Sequence, residues 1–119
     1  MENDTAGSGP TLGNVLIGSS GNLWLDDNPN TGTQPSASRT ADLTGATSGT
    51  LSFTWETQSG VDAVDRVVVE VSSNGGASYA VLKSFTGFAG ARVGTESFNI
   101  ARYISSQTTV RFRVVSGYG

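Results

Sequence analysis

Residues 65–76 read DRVVVEVSSNGG, and this stretch predicts the first half of a β-hairpin and its turn. Val67, Val69 and Val71 are apolar at every second position, which is the spacing of a strand with one buried face. The asparagine and two glycines that follow tolerate the positive φ angles of a chain reversal. Residues 79–85 then predict the returning strand, so we expect this hairpin to lie in the middle of a β-sandwich.

Other segments alternate in the same way on both sides of the hairpin. Strands are predicted at residues 12–17, 50–57, 96–100 and 108–116, and a short edge strand at 38–43. Residues 87–94 predict a glycine-spaced loop, and residues 101–106 one short helical turn. The expected core comprises Leu51, Phe53, Trp55, Val67, Val69, Val71, Leu82, Phe98, Ile100, Val110, Phe112 and Val114.

Length and composition favour one all-β domain. The chain has 119 residues, 16 glycines and only 14% charged residues, which suits many turns and polar outward faces. About seven to nine short strands predict an antiparallel β-sandwich of the jelly-roll type. We expect residues 1–11 to be a mobile leader and residues 12–119 to form the single domain.

Charge and residue content exclude several function classes. The net charge of −3 makes nucleic acid an improbable partner, and no apolar run is long enough to cross a bilayer. Cysteine and histidine are absent, which excludes disulfides, Cys- or His-based zinc sites and histidine-dependent triads. No signal peptide follows Met1, so we expect either a processing boundary or export by a route that reads no such signal.

Three segments carry a family resemblance: residues 38–53, 65–76 and 108–114. Their spacing resembles jelly-roll modules of large bacterial surface and exported proteins, similar to MAM-like and carbohydrate-binding-module-like sandwiches. The resemblance covers roughly residues 38–116 and implies an extracellular or cell-surface protein. Such folds serve sugar binding, adhesion and spacing alike.

One departure from that family concerns its final strand, which usually follows the segment matching residues 111–116. Here only Gly117, Tyr118 and Gly119 follow. Three alternatives remain: the sequence is cut short, residues 12–17 fill the position, or a neighbouring subunit donates a strand. An unfilled position would expose backbone donors and acceptors and favour pairing with another chain.

An oxygen-rich segment predicts a candidate calcium site. Asp26, Asn28 and Asn30 alternate like the first ligands of an EF-hand loop, although Thr31 stands where that loop has glycine. The resemblance also implies a structural calcium ion. Further candidate ligands are Asp42, Asp62 and Asp65. The alternative is a loop of hydrogen-bonded Asx turns without an ion.

Carbohydrate binding requires an exposed aromatic ring beside planar polar groups. Trp24 is the leading candidate, because alternation places it opposite Leu23 and Leu25. The alternative is that Trp24 packs under the loop at residues 26–35. The other candidate ligand-binding residues are Asn28, Gln34, Arg39, Gln58, Tyr79, Tyr103 and Tyr118.

Arg111 and Arg113 share one face of the last predicted strand, and Glu70 and Glu56 lie on outward faces of other strands. Cross-strand ion pairs are the ordinary interpretation, and an anion site is the alternative. Catalysis would need a pair of carboxylates such as Asp62 and Asp65, but no catalytic motif accompanies them.

We therefore expect no enzyme activity. The strand pattern, the family resemblance and Trp24 together predict a non-catalytic extracellular bacterial module for adhesion or glycan binding, with calcium as a candidate stabilising ion. The alternative is a structural subunit of a filament or repeat array, in which neighbouring copies are joined by strand donation into a homo-oligomer.

Overall fold

The computed structural model describes residues 1–4, 7, 9, 12–26 and 34–116. Within them lie nine strands and one short 3₁₀ helix, η1, at Ala101–Tyr103. The strands are β1 Glu2–Asn3, β2 Val15–Ile17, β3 Leu23–Leu25, β4 Ser36–Ala41, β5 Thr50–Thr57, β6 Arg66–Ser72, β7 Ala80–Phe85, β8 Arg92–Asn99 and β9 Thr108–Ser116. None of the described residues belongs to a helix that is long and apolar enough to span a membrane.

The main sheet has five antiparallel strands in the order β1-β4-β9-β6-β7. The predicted hairpin forms β6 and β7, and the last predicted strand, β9, pairs with β6 on its other side. Val69 lies opposite Phe112 and Val71 opposite Val110, so the apolar positions of both strands share one face. We call this the inner face.

A second layer, formed by β5 and β8, covers the inner face. The two strands pair antiparallel along their whole length, from Thr50 with Asn99 to Thr57 with Arg92. The ring of Phe53 contacts that of Phe112 edge-on at 5.1 Å between centroids, and that of Phe85 at 6.3 Å. This packing confirms the predicted all-β fold and is consistent with a β-sandwich; its jelly-roll type stays a prediction.

The start of β8 corrects the predicted loop at residues 87–94. The strand begins at Arg92 and includes Gly94, which pairs with Trp55. A Cβ atom on Gly94 would lie 2.5 Å from Cζ2 of Trp55. Glycine at this position therefore makes room for the indole within the strand. The sequence had instead predicted Gly94 in a loop.

The edge of the main sheet also differs from the prediction. β4 is an interior strand between β1 and β9, because Glu2 and Asn3 pair with Ala37 and Ser36. These two residues fall within the segment predicted to be a mobile leader. An Asp4 carboxylate oxygen also accepts hydrogen bonds from the backbone N–H groups of Asn14 and Val15, which ties this segment to β2.

Both faces of β6 are buried, although the alternation in the sequence predicted only one buried face. Val69 and Val71 face the second layer, whereas Val68, Glu70 and Ser72 point to the opposite, outer face and are also buried. Glu70 is only 3% exposed. Side chains from β9 lie over this carboxylate, and they form the site described next.

Candidate functional site

A rigid turn after β6 begins the candidate site. The Ser72 hydroxyl oxygen accepts hydrogen bonds from the backbone N–H groups of Asn74 and Gly76, and the hydroxyl donates to Oδ1 of Asn74. Gly75 and Gly76 have φ angles of 72° and 94°, which other residues rarely adopt. The turn predicted from the asparagine and the glycines is therefore confirmed.

Tyr79 follows this turn and is held at a fixed position by it. A Cβ atom on Gly76 would lie 2.8 Å from the Tyr79 hydroxyl oxygen, so the phenol packs directly against the glycine backbone. The guanidinium carbon of Arg111 lies 3.7 Å from the centroid of the Tyr79 ring. This distance is that of a stacked cation–π contact.

Glu70 joins two arginines of β9. Its Oε2 accepts from Nε of Arg111 at 2.7 Å and from Nε of Arg113 at 3.2 Å, and its Oε1 accepts from Nη2 of Arg113 at 2.7 Å. The predicted cross-strand ion pairs are thus confirmed for Glu70. Glu56 lies on the exposed face of β5, opposite Val93, so it is on another layer.

The electrostatics of this cluster favour the ionised carboxylate. Burial opposes the charge on Glu70, but the hydrogen bonds from Arg113 and Arg111, together with their positive charge, outweigh it and lower the pKa of Glu70. The hydrogen bond to Glu70 raises the pKa of Arg113. Glu70 and Arg113 therefore carry their charges at neutral pH.

Gln34 extends the cluster toward solvent, because its Oε1 accepts from Nη1 of Arg113 at 2.7 Å. The sequence predicted Gln34 and Tyr79 as ligand-binding residues without linking them. The structure connects them through Arg113, Glu70 and Arg111 into one outer-face network. The sequence did not predict the stacking of Arg111 on Tyr79. The only sequence signal for it was the glycine turn before Tyr79, because Gly76 leaves room for the phenol.

Trp24 lies on a separate element, the β2–β3 hairpin. It pairs with Leu16, so Leu23 and Leu25 point to the opposite face, as predicted. The indole packs against Gly18, where a Cβ atom would lie 2.5 Å from Nε1, yet the residue remains 44% exposed. The alternative contact with the following loop involves residues 27–33, which lie outside the described residues.

The remaining predicted ligand-binding residues are dispersed. Arg39 is exposed on β4, opposite Val110. Tyr103 lies in η1, with the Arg102 guanidinium 5.8 Å from its ring centroid. Gln58 lines a groove of about 300 Å³ at the end of β5. Asn28 and Tyr118 lie outside the described residues.

The calcium prediction depends on undescribed residues. Asn28 and Asn30 belong to them, and the described part of the chain contains no group of three or more acidic residues that could hold a metal ion. Asp42 accepts a hydrogen bond from the backbone N–H of Thr44, and hydrogen bonding by the side chain and the backbone of Thr44 lowers the pKa of Asp42. Asp26 is exposed at the end of β3. Asp42 thus has a local role in a turn, and calcium stays a prediction.

Asp62 and Asp65 also have local roles. The Asp65 carboxylate accepts the backbone N–H of Asp62 at 2.9 Å, and the Asp62 carboxylate accepts that of Val64 at 2.9 Å. Such bonds are typical of carboxylates that shape a turn before a strand. The expectation of no enzyme activity stays a prediction.

Glu96 is a charged residue of the interior that the sequence analysis missed. It lies opposite Phe53 and therefore points toward the main sheet. Its Oε1 accepts from Nζ of Lys83 at 2.5 Å and from Nε1 of Trp55 at 3.3 Å. The hydrogen bond from Lys83 is the main reason that the pKa of Glu96 is lowered. The sequence did contain a signal for this position, because Glu96 lies two residues before Phe98 and therefore on the same face of the strand.

Comparisons with known proteins identify no relative. No family model, no curated protein and no solved structure matches this chain. The function must therefore be inferred from the residues of the two sites, which are the outer-face network and Trp24.

Proposed function

We propose that this protein is a non-catalytic carbohydrate-binding module, used for adhesion at a bacterial cell surface. The observation that carries the proposal is the half-exposed indole of Trp24. One side of the ring packs on Gly18 while 44% of the residue remains open to solvent. A large, rigid aromatic surface held in this way can stack on the C–H face of a sugar ring.

The position of Trp24 supports a ligand role over a core role. Trp55 performs the core role, since its ring packs against Phe85 at 5.2 Å and Phe88 at 5.1 Å between the layers. Trp24 lies on a short hairpin whose strands pair only with each other among the described strands. The resemblance to modules of bacterial surface proteins supports the extracellular location.

The test is a binding measurement with the whole chain. A glycan array identifies a ligand, and titration calorimetry then compares the wild type with Trp24→Ala. We expect the variant to lose at least about tenfold in affinity, which corresponds to about 1.4 kcal/mol. Ile17→Ala is the matched control, because Ile17 is exposed on the opposite face of the same hairpin.

Calcium is included as a separate variable in this test. Binding and melting temperature are measured with calcium and again after a chelator, and a lower melting temperature after chelation would support the calcium ion. Absence of glycan binding in the presence of calcium, or equal affinities of the wild type and Trp24→Ala, would reject carbohydrate binding at this residue.

Unpaired strand edges favour a second candidate, a structural subunit assembled by strand pairing. Among the described strands, β5 and β8 pair only with each other, and β7 ends the main sheet. β2 pairs with β3 alone, so it does not extend either larger sheet. Open edges of this kind accept a strand from a neighbouring copy.

Light scattering over a range of protein concentrations tests this second candidate. We expect larger assemblies that dissociate in Val93→Lys, because a lysine on the exposed edge strand β8 opposes pairing. Ala46→Lys, in an exposed loop, adds the same charge away from any edge. A monomer at every concentration, with fast hydrogen exchange of those β5 and β8 amides that point away from their mutual pairing, would exclude strand pairing.

A further inference from the structure

The two arginines of the outer-face network differ in how their donors are used. Arg113 bonds Glu70 through Nε and Nη2 and Gln34 through Nη1, so each of its nitrogens has an acceptor. Arg111 bonds Glu70 through Nε alone. Within the described residues, neither Nη1 nor Nη2 of Arg111 has a hydrogen-bond acceptor. Arg113 is therefore satisfied by the protein, whereas Arg111 keeps two donor groups for another molecule.

Arg111 is also held in place before any ligand arrives. Its Nε is fixed by the buried carboxylate of Glu70, and its plane stacks on Tyr79, yet the side chain remains 26% exposed. A free arginine loses considerable rotamer entropy when it binds a ligand. Here the fold has already restricted the guanidinium, so a ligand would bind to a preorganised group.

The charge of the outer face favours an anion. Arg66 belongs to this face, because its Nη2 donates to the Ser84 hydroxyl, and Ser84 lies opposite Val68. Three arginines (Arg66, Arg111 and Arg113) and one glutamate (Glu70) give the face a formal charge of +2, from +3 and −1. The whole chain carries −3. This face is therefore a local positive region on an acidic protein.

The groups around Arg111 fit a sugar. Across the sheet, one row of outer-face residues runs from Ser38 through Arg111 and Glu70 to Val81. Ser38 supplies a hydroxyl on one side, and Val81 is 55% exposed on the other. Together with the ring of Tyr79, Val81 offers apolar surface for sugar C–H groups, next to a donor pair for a planar oxyanion.

We propose that Arg111 and Tyr79 form a binding site for the carboxylate of an acidic sugar, a uronic acid unit of a polysaccharide. The two Nη groups of Arg111 donate to the two carboxylate oxygens, and the sugar ring lies along Tyr79 and Val81. The planar fork of arginine matches a planar carboxylate in geometry as well as in charge. The site does not include Trp24 and does not depend on the function proposed for that residue.

The test uses titration calorimetry at low salt with a trigalacturonate, its neutral methyl ester and a sulfated oligosaccharide of the same length. We expect the trigalacturonate to bind at least tenfold more tightly than the methyl ester. Arg111→Lys keeps the charge and loses the fork, and should weaken trigalacturonate binding by at least tenfold. Arg66→Gln, the control, removes a charge from the same face and should weaken it less than threefold.

Three outcomes would overturn the proposal. Equal binding of the methyl ester would show that the carboxylate is not recognised. Equal or tighter binding of the sulfated sugar would show a general anion surface, as would equal losses in Arg111→Lys and Arg66→Gln. Arg111→Lys also removes the hydrogen bond from Nε to Glu70, so the Arg111 Nε–Hε resonance of the wild type is followed as well. A shift on adding trigalacturonate supports the site, and no shift contradicts it.

A further variant separates this proposal from the function proposed above. Trp24→Ala should leave trigalacturonate binding within twofold of the wild type. Loss of that binding in Trp24→Ala, with Arg111→Lys unaffected, would place the acidic sugar at Trp24 and overturn the Arg111 site. Loss of neutral-glycan binding in Trp24→Ala, with trigalacturonate binding still within twofold of the wild type, would support the function proposed for Trp24 and a separate acidic-sugar site at Arg111.

Discussion

The inner and outer faces of strand β6 are both buried, but by different means. On the inner face, the aromatic rings of β5 and β8 cover the valines of β6, with Phe53 in contact with Phe85, Phe98 and Phe112. On the outer face, Arg111 and Arg113 lie over Glu70. The inner face is closed by an apolar layer and the outer face by an ionic network that still presents donors to solvent.

This difference separates stability from binding within one sheet. Apolar contacts are non-directional, so the inner face gains stability from area and close packing. The charged network depends on geometry, and its net contribution is smaller because two arginines and a carboxylate lose hydration when they pair. The outer-face network therefore contributes more to the positioning of side chains than to stability, because it fixes Arg111 where a ligand can bind.

The largest predicted effect is on the inner face. Phe53→Ala should lower the free energy of unfolding by about 3–5 kcal/mol, because it removes a ring that contacts three others and leaves a cavity. Denaturant unfolding measures the change. Thr54→Val, on the exposed face of the same strand, should stay within about 0.5 kcal/mol. A loss below about 1 kcal/mol in Phe53→Ala would show that the second layer is not closely packed.

The next effect is on the outer face. Glu70→Gln keeps the shape of the side chain but leaves Arg111 and Arg113 without their shared counter-ion, and should lower the unfolding free energy by about 2 kcal/mol. This loss of unfolding free energy is smaller than the loss expected for a fully buried ion pair, because both arginine side chains are partly exposed. Glu56→Gln, on the exposed face of β5, is the control. Equal effects of the two variants would mean that the network is only a surface feature.

A smaller effect is expected at the turn that carries Tyr79. Gly76→Ala should lower the unfolding free energy by about 1–2 kcal/mol, since its φ of 94° is unfavourable for alanine and the new Cβ meets the Tyr79 hydroxyl. Gly87→Ala is the control. Gly87 also has a positive φ but no neighbouring atoms within 4 Å of a new Cβ, so this variant measures the effect of the φ angle alone. If both variants lower the unfolding free energy by the same amount, the contact between Gly76 and Tyr79 does not contribute to stability.

The smallest predicted effect is a difference in pH dependence. The pKa of Glu70 is lowered in the folded protein, so its contribution to stability is present above the unfolded value near 4.5 and is lost as the pH falls through the folded value. Glu70→Gln should therefore show a shallower loss of stability below pH 4.5 than the wild type. Unfolding curves between about pH 2 and 6 measure this difference. Parallel curves would show that Glu70 does not contribute to acid unfolding.

Much of the fold could be predicted because alternation is a local property. The period-two spacing of Val67, Val69 and Val71 identified the inner face, and the glycines identified the turn. The errors arose where a residue serves a distant neighbour. Gly94 was predicted in a loop because its partner, Trp55, is far away in sequence, and β4 was predicted at an edge because β1 is only two residues long.

The candidate site was predicted only in parts. Glu70, Arg111 and Arg113 were predicted to form cross-strand ion pairs, and Tyr79 and Gln34 were predicted separately as ligand-binding residues. Their assembly into one network depends on β9 lying beside β6, although Glu70 and Arg111 are 41 positions apart in the sequence. No local pattern carries that pairing, because several strands of this chain have similar length and alternation.

By itself, the sequence determined an all-β chain, the face on which most apolar side chains lie, and the hairpin around residues 74–76. These follow from backbone geometry, in which successive side chains of a strand point to opposite faces and glycine permits positive φ. Only the tertiary structure decided that the second face of β6 is buried and that Arg111 stacks on Tyr79 with two donor groups that no described residue accepts. The physical reason is that strand order is set by the packing of the whole chain, and strand order determines which charged and aromatic side chains become neighbours.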